Sequence, residues 1–303
     1  MIRIACTVLT LQSLMVGNTG FQLPSSRSPL QNLCSSTSDH VTTRTSPYQV
    51  STVKTCSQEE SVQIIESTLY PKSELGARIR LGMDAQGVKA GESLSNNDER
   101  NHFTYGEFPL ESFDQLLDSA INHLIKDSAE NNSIDGKVLK LVDIGSGCGR
   151  LILHAALGRS NFDIHGVEIS DIMHDYACDM VQRGADHNLF GVTSDDDIHT
   201  SDASKLTLHR APAQECSQIF SDADIIFAYS SVFPDGGFAI EERAMLMGPS
   251  MSSMLAKACK PGCIAVMTDR LLDPEFGWQY QSQLDVVNPD LLGSTGYISI
   301  LNK

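Results

Sequence analysis

Short apolar runs alternate with longer stretches of helical periodicity, an order that predicts parallel strands joined by crossover helices. Leu141-Val142-Asp143-Ile144 reads as a buried strand, and Arg150-Leu151-Ile152-Leu153-His154-Ala155-Ala156 as the helix that follows it. A second strand is expected over Phe162–Ser170, a third over Ile198–Ala203 and a fourth over Ala223–Tyr229. A helix closing at Lys260-Pro261-Gly262 leads into a fifth over Cys263–Met267. Upstream, Phe113 to Lys126 sets Phe113, Leu116, Leu117, Ala120, Ile121, Leu124 and Ile125 on one helical face. Val62, Ile65 and Leu69 mark a further packing helix in Gln58–Tyr70. Phe276–Val287 and Gly296–Leu301 form an expected terminal hairpin. The pattern predicts an α/β, Rossmann-like fold: a mostly parallel sheet, helices on both faces, and an antiparallel end.

The first predicted strand runs into Gly145-Ser146-Gly147-Cys148-Gly149. Glycines there permit a tight turn and close backbone approach to a ligand, and the helix N-terminus beyond it favours the ligand's polar end. The spacing G-x-G-x-G is one residue shorter than the dinucleotide pattern. With Asp143 before it, the motif resembles motif I of the class I S-adenosylmethionine (SAM) methyltransferases. Glu168 follows Asp143 by 25 positions, the length of a strand, a crossover helix and a returning strand. A carboxylate there is placed to accept both ribose hydroxyls. Asp202 is the corresponding candidate for the adenine amino group, although Asp195, Asp196 and Asp197 lie close by.

Composition narrows the function classes. The 303 residues accommodate one α/β domain and an N-terminal extension. Net charge is −16, and residues 1–57 carry four basic groups against one acid, so the remainder is strongly acidic. Such a surface repels phosphate backbones, and direct nucleic-acid binding is not expected. Residues 1–20 read as a signal-peptide-like segment, with Arg3 ahead of a short apolar stretch from Ile4 to Val16. Residues 21–57 hold 15 Ser or Thr and a single acid, a transit-peptide-like composition. Phe21-Gln22-Leu23-Pro24 resembles the Phe-led bipartite presequence of algae with secondary plastids, which implies a plastid address. No apolar run in the mature region is long enough to span a bilayer, so no membrane span is expected there. A secreted or mitochondrial N-terminus is the alternative. The eight cysteines and nine histidines lack zinc-ligand spacing, so reduced thiols and no structural metal are expected, with a Cys259–Cys263 regulatory disulfide as the alternative.

Residues 58–97 read as a helical lead-in and linker, polar from Gly87 to Arg100, and residues 98–303 as the main domain. Tyr105-Gly106-Glu107, an amphipathic helix, Asp143 with Gly145, Gly147 and Gly149, and Gly166-Val167-Glu168 occur in one order. This order resembles the Dot-one type (disruptor of telomeric silencing), histone lysine methyltransferases without a SET domain. The likeness extends to Ile225-Ile226-Phe227 and the terminal Gly296–Leu301 strand. It implies a seven-stranded SAM methyltransferase sheet, SAM as cofactor, and a protein lysine as methyl acceptor, and would favour a nuclear address over a plastid one. Carried over, Tyr105 and Glu107 would lie beside the methionine part of SAM, Glu107 holding its ammonium or else capping a helix. Asp143, Gly145, Ser146, Gly147, Gly149, Glu168 and Asp202 would bind the cofactor. The family's Asn-Asn-Phe-x-Phe stretch corresponds to Tyr229-Ser230-Ser231-Val232-Phe233, which keeps Phe233 and offers Tyr229 as hydroxyl and aromatic wall. Tyr297 matches an aromatic near the family's lysine channel, or is simple core. A small-molecule acceptor, and a non-catalytic SAM-binding protein, are the other readings of the same residues.

Overall fold

A computed structural model describes residues 47–85, 106–128, 137–192, 205–231 and 233–302. The chain enters through strand β1 (Tyr48–Val53) and helix α1 (Gln58–Ile64), whose N-cap Ser57 accepts the Glu60 amide at 3.2 Å. A π-helical turn over Ile65–Leu69 precedes α2 (Leu75–Ala85) and α3 (Leu110–Ser128). The alternating body follows: β2 (Leu139–Ile144), α4 (Arg150–Gly158), β3 (Phe162–Glu168), α5 (Asp171–Asp186), β4 (Phe190–Val192), β5 (Lys205–Arg210), α6 (Ser217–Phe220) and β6 (Ile225–Ala228). A small hairpin, β7 (Asp235–Ala239) and β8 (Ala244–Met247), leads into α7 (Pro249–Ala258) and β9 (Ile264–Thr268). The last two strands are β10 (Trp278–Val286) and β11 (Ser294–Leu301).

Nine strands form one sheet in the order β10-β11-β9-β6-β2-β3-β5-β1-β4. β9, β6, β2, β3 and β5 are mutually parallel, and β10 and β11 close one side as an antiparallel hairpin. The strand order changes direction at β2, and its C-terminal end is where a doubly wound sheet opens a ligand crevice. Side-chain alternation splits the core between two faces. Leu141, Ile164, Leu206, Phe227 and Val266 pack under α1, α3, α4 and α5, whereas Val142, Val167, Ile226 and Ala265 pack under α6 and α7.

Three expectations about elements change. The first concerns residues 48–57, placed by composition in the transit-peptide-like segment: β1 pairs with β4 and β5, and Val50 and Val53 are buried. The compact unit runs from Thr45 to Lys303, so the fold begins well before residue 98. Second, the lead-in helices are part of this body, for α1 packs on α4 and α2 on α5. Third, the strand paired to β3 is Lys205–Arg210, whereas the expected Ile198–Ala203 strand lies outside the described residues. The polar segment from Gly87 to Arg100 and nearly all of the presequence also lie outside them. No helix among the described residues is long and apolar enough to cross a membrane. The described cysteines, Cys259 and Cys263 included, are thiols outside any disulfide, and no three metal-binding side chains among the described residues cluster to hold an ion.

Candidate functional site

The glycine turn joins β2 to α4. Gly147 and Gly149 have φ of +55° and +82°, in the left-handed region that other residues occupy at a cost. A Cβ on Gly149 would also lie 3.0 Å from Ala177 Cβ and 3.1 Å from Leu153 Cδ1. The turn is held from both sides. The Gly145 and Ser146 amides donate to the Val167 carbonyl at 2.8 and 3.1 Å. Buried Tyr70 donates its hydroxyl to the Cys148 carbonyl at 2.5 Å, and burial keeps that phenol well above its ordinary pKa. Glu168 ends β3 and turns back onto the turn. Its two oxygens accept the Gly147 amide at 2.8 Å and the Ser170 amide at 2.7 Å.

These residues border a cavity of about 350 Å³. Asp143 and residues 145–148 line it together with Glu168, Ile169, Ser170 and Met173. Ala211, Ala213 and Gln214 contribute from the loop after β5, and Gly106, Glu107 and Phe108 from the segment before α3. Tyr229, Phe233, Pro234, Met247 and Met251 supply a largely apolar stretch. Two buried carboxyls face this space. Burial holds Asp143 well above the usual carboxylate range, and the charge of Glu168 adds to the effect. Burial raises Glu168 too, opposed by the amides of Ser170, Gly147 and Ile169. A ligand with a cationic group and several hydroxyl donors satisfies such a pair.

Glu107 is held in place by an ion pair. Buried Arg78 grips it with two bonds, Nε to Oε1 at 2.5 Å and Nη2 to Oε2 at 3.2 Å. Arg150 approaches its Oε2 to 3.9 Å while donating to the Phe108 carbonyl at 2.9 Å. The segment before α3 is thereby tied to α2 and to the helix after the glycine turn. Opposite, the Tyr229 ring lies 5.1 Å from that of Phe108, and its oxygen accepts from Asn288 Nδ2 at 3.1 Å. Burial raises the Tyr229 phenol, with the Asn288 bond opposing.

Asp143, Gly145, Ser146, Gly147, Glu168, Glu107, Tyr229 and Phe233 therefore meet at one cavity, with Gly149 shaping the turn beneath it. Tyr105 and Asp202 lie outside the described residues. The loop that leaves β5 at the cavity carries Ala211-Pro212-Ala213-Gln214, and Gln214 is the polar side chain that borders the space there. Ser230 does not face the cavity: its amide donates to Thr268 Oγ1 and its hydroxyl to the Thr268 carbonyl, fully buried. Tyr297 is core, packed with Ala244 and Leu271. Sequence reasoning missed Arg78, Gln214 and Asn288. Asn288 at least stands in a turn signal, Asn288-Pro289-Asp290, but its partner is 59 residues away.

The strand order, the antiparallel terminal hairpin and the glycine turn after β2 define the Rossmann-like SAM methyltransferase fold. No family model matches the sequence, and no curated protein matches it. Among solved structures, the chain is similar to an RNA methyltransferase from Salinibacter ruber in complex with S-adenosyl-L-homocysteine. That match is 19% identical, covers 65% of this chain and 95% of the other, and has a TM-score of 0.39. A magnesium protoporphyrin IX methyltransferase from Synechocystis with bound SAM is 15% identical over 82% and 98% of the two chains, with a TM-score of 0.40. A TehB-like SAM-dependent methyltransferase from Corynebacterium glutamicum is 14% identical over 76% and 98%, with a TM-score of 0.37. All three scores lie below 0.5, and the fold is defined by strand order and pairing rather than by these likenesses.

Proposed function

We propose that the protein is a SAM-dependent methyltransferase. The observation that carries this reading is the Glu168 carboxylate, locked by the Gly147 and Ser170 amides over a positive-φ glycine turn at the sheet's crevice. A carboxylate has about four lone-pair sites, and what the amides leave open can accept a ribose hydroxyl. Asp143 would balance the positive charge of the methionine part, with Glu107 held nearby by Arg78. Gln214 offers an amide to the adenine edge. When bound, SAM supplies an electrophilic sulfonium methyl. The protein aligns an acceptor behind that methyl and excludes water with Phe108, Tyr229 and Phe233; such positioning is worth roughly 7–11 kcal/mol for well-oriented reactants.

The acceptor we propose is an amine of the protein-lysine type, following the Dot-one resemblance. A second cavity shares Gly106, Glu107 and Arg150 with the first. Glu66, which pairs with Arg150, and Glu111 and Asp290 also border it, so its charge is net negative and suits a cationic chain. Label transfer from methyl-labelled SAM by the full chain, with nucleosomes and total cell extract offered side by side, tests both levels. Label on a histone supports lysine; label confined to small molecules moves the acceptor class, and no transfer to either pool counts against catalysis.

A further inference from the structure

The chain ahead of α2 reaches the underside of the glycine turn. α1 runs into the π-helical turn over Ile65–Leu69, which the Tyr70 amide closes by donating to the Ile65 carbonyl at 2.7 Å. A π-turn takes in one residue more than an α-helical turn, and such turns recur at functional sites. Here Leu69 and Tyr70 are both buried at its end. Three neighbours hold that end. Arg183 of α5 donates to the Leu69 carbonyl at 2.9 Å and pairs with Glu74 at 3.1 Å. The Tyr176 ring lies 6.3 Å from that of Tyr70. Arg78 of α2 sets its guanidinium carbon 5.7 Å from the Tyr70 ring centre and donates to the Pro71 carbonyl at 3.1 Å. Held in this way, the Tyr70 hydroxyl meets the Cys148 carbonyl at 2.5 Å. A carbonyl oxygen only accepts, so the phenol is the donor.

Gly145, Gly147 and Gly149 have φ of +72°, +55° and +82°, and three glycines so close together leave an unrestrained turn many conformations. The amides of Gly145, Ser146 and Gly147 tie the turn to Val167 and Glu168 on the β3 side. Tyr70 ties it from the other side, through the one peptide that leads into α4. A Cβ on Gly149 would lie 3.5 Å from the Tyr70 oxygen, which shows how closely the phenol approaches. Tyr70 does not border the cavity, so its effect on a ligand there passes through the turn. Resting on the methyltransferase reading, we infer that Tyr70 is a positioning residue for the cofactor. Its hydroxyl fixes the Cys148–Gly149 peptide in the orientation that the ligand meets, and Arg78 keeps the ring in place. The lead-in from Gln58 to Ala85 therefore completes the cofactor site as well as packing beside it. A turn already held in its bound form spares the ligand the cost of ordering it.

The test uses the full chain and S-adenosylhomocysteine, with calorimetry run well below each protein's thermal midpoint so that only folded protein is titrated. Cys148 is the one cysteine followed by glycine, so carbon-13 at cysteine carbonyls with nitrogen-15 in glycine singles out the Cys148–Gly149 peptide by NMR. In the wild type this signal should move on saturation with S-adenosylhomocysteine. Tyr70→Phe keeps the ring and removes the hydroxyl. It should displace the signal in the ligand-free protein and lower affinity about 3- to 10-fold, the worth of one hydrogen bond. Ser67→Ala removes another hydroxyl of the same π-turn, one bonded to the Gln63 carbonyl at 2.6 Å, and should leave signal and affinity at wild-type values. A merely structural Tyr70 would lower the midpoint without moving the affinity of the folded protein. The proposal is overturned if Tyr70→Phe binds as tightly as the wild type, or if Ser67→Ala loses as much. It is equally overturned if the Cys148–Gly149 signal ignores either the ligand in the wild type or the loss of the hydroxyl. Failure of the wild type to bind S-adenosylhomocysteine instead removes the methyltransferase reading, and the proposal with it.

Discussion

Asp143 and Glu168 set the electrostatic character of the crevice. Both are raised by burial, Asp143 well above the ordinary range and further by its neighbour's charge. A cation brought beside Asp143 favours its ionised form. Ligand binding is therefore expected to release a proton when the pH lies between the ordinary carboxylate range and Asp143's raised value. Across that window affinity rises with pH. Calorimetry with SAM in two buffers of different ionisation enthalpy checks this: the prediction is net proton release, and proton uptake or no buffer dependence would contradict it. Arg78 is the other decisive residue, since its guanidinium is buried against Glu107. Removing one partner of a buried pair costs about 3–5 kcal/mol because the other charge is left uncompensated. Arg78→Met should lower the urea midpoint accordingly, and Arg78→Met with Glu107→Gln should recover much of the loss.

Elements were legible where burial on both faces makes a strand an apolar run. β2, β6 and β9 stood out for that reason, and α3 through its single apolar face. β5 did not, because Lys205-Leu206-Thr207-Leu208-His209-Arg210 alternates and has exposed or half-buried ends. β1 was hidden by Ser/Thr-rich composition, although Val50 and Val53 reach the core. The glycine turn and Glu168 were readable because their spacing follows from strand and helix lengths. Asn288 and Arg78 were not, since each role depends on a long-range contact that no local pattern encodes. The turn itself gives a prediction at this scale. Gly149→Ala forces a left-handed φ on a side chain that also crowds Ala177, and such strain costs on the order of 1–3 kcal/mol. A fall in thermal midpoint with loss of cofactor affinity is expected; an unchanged midpoint would mean that the turn adjusts freely. Elsewhere, Asp224 ties Lys137, Lys260 and the Lys140 amide at 2.7, 2.6 and 2.9 Å. Burial pushes this carboxyl up, but the lysine and amide bonds win and hold it below its ordinary value. Its stabilising share is present above the unfolded-state pKa, about 4, and is lost as pH falls through the folded value. Asp224→Asn should flatten the acid side of the stability profile, read as thermal midpoint against pH.

For the whole molecule, charge and address matter most. A net charge of −16 disfavours wrapped DNA as a docking surface. We propose that residues 1–57 contain a plastid address, with the mature body starting ahead of β1. Fusing residues 1–57 to a fluorescent protein in an alga with secondary plastids should label the plastid, whereas nuclear signal would favour the chromatin reading. The central claim is narrower and comes before any question of acceptor or compartment. Titrating the full chain with S-adenosylhomocysteine in a calorimeter, wild type against Glu168→Ala, tests it most directly. One-to-one binding by the wild type and a loss in the variant of about 1.5–3 kcal/mol, the worth of hydrogen bonds to a charged group, is the predicted result. No binding by the wild type, or equal binding by both, would contradict a SAM site on this crevice.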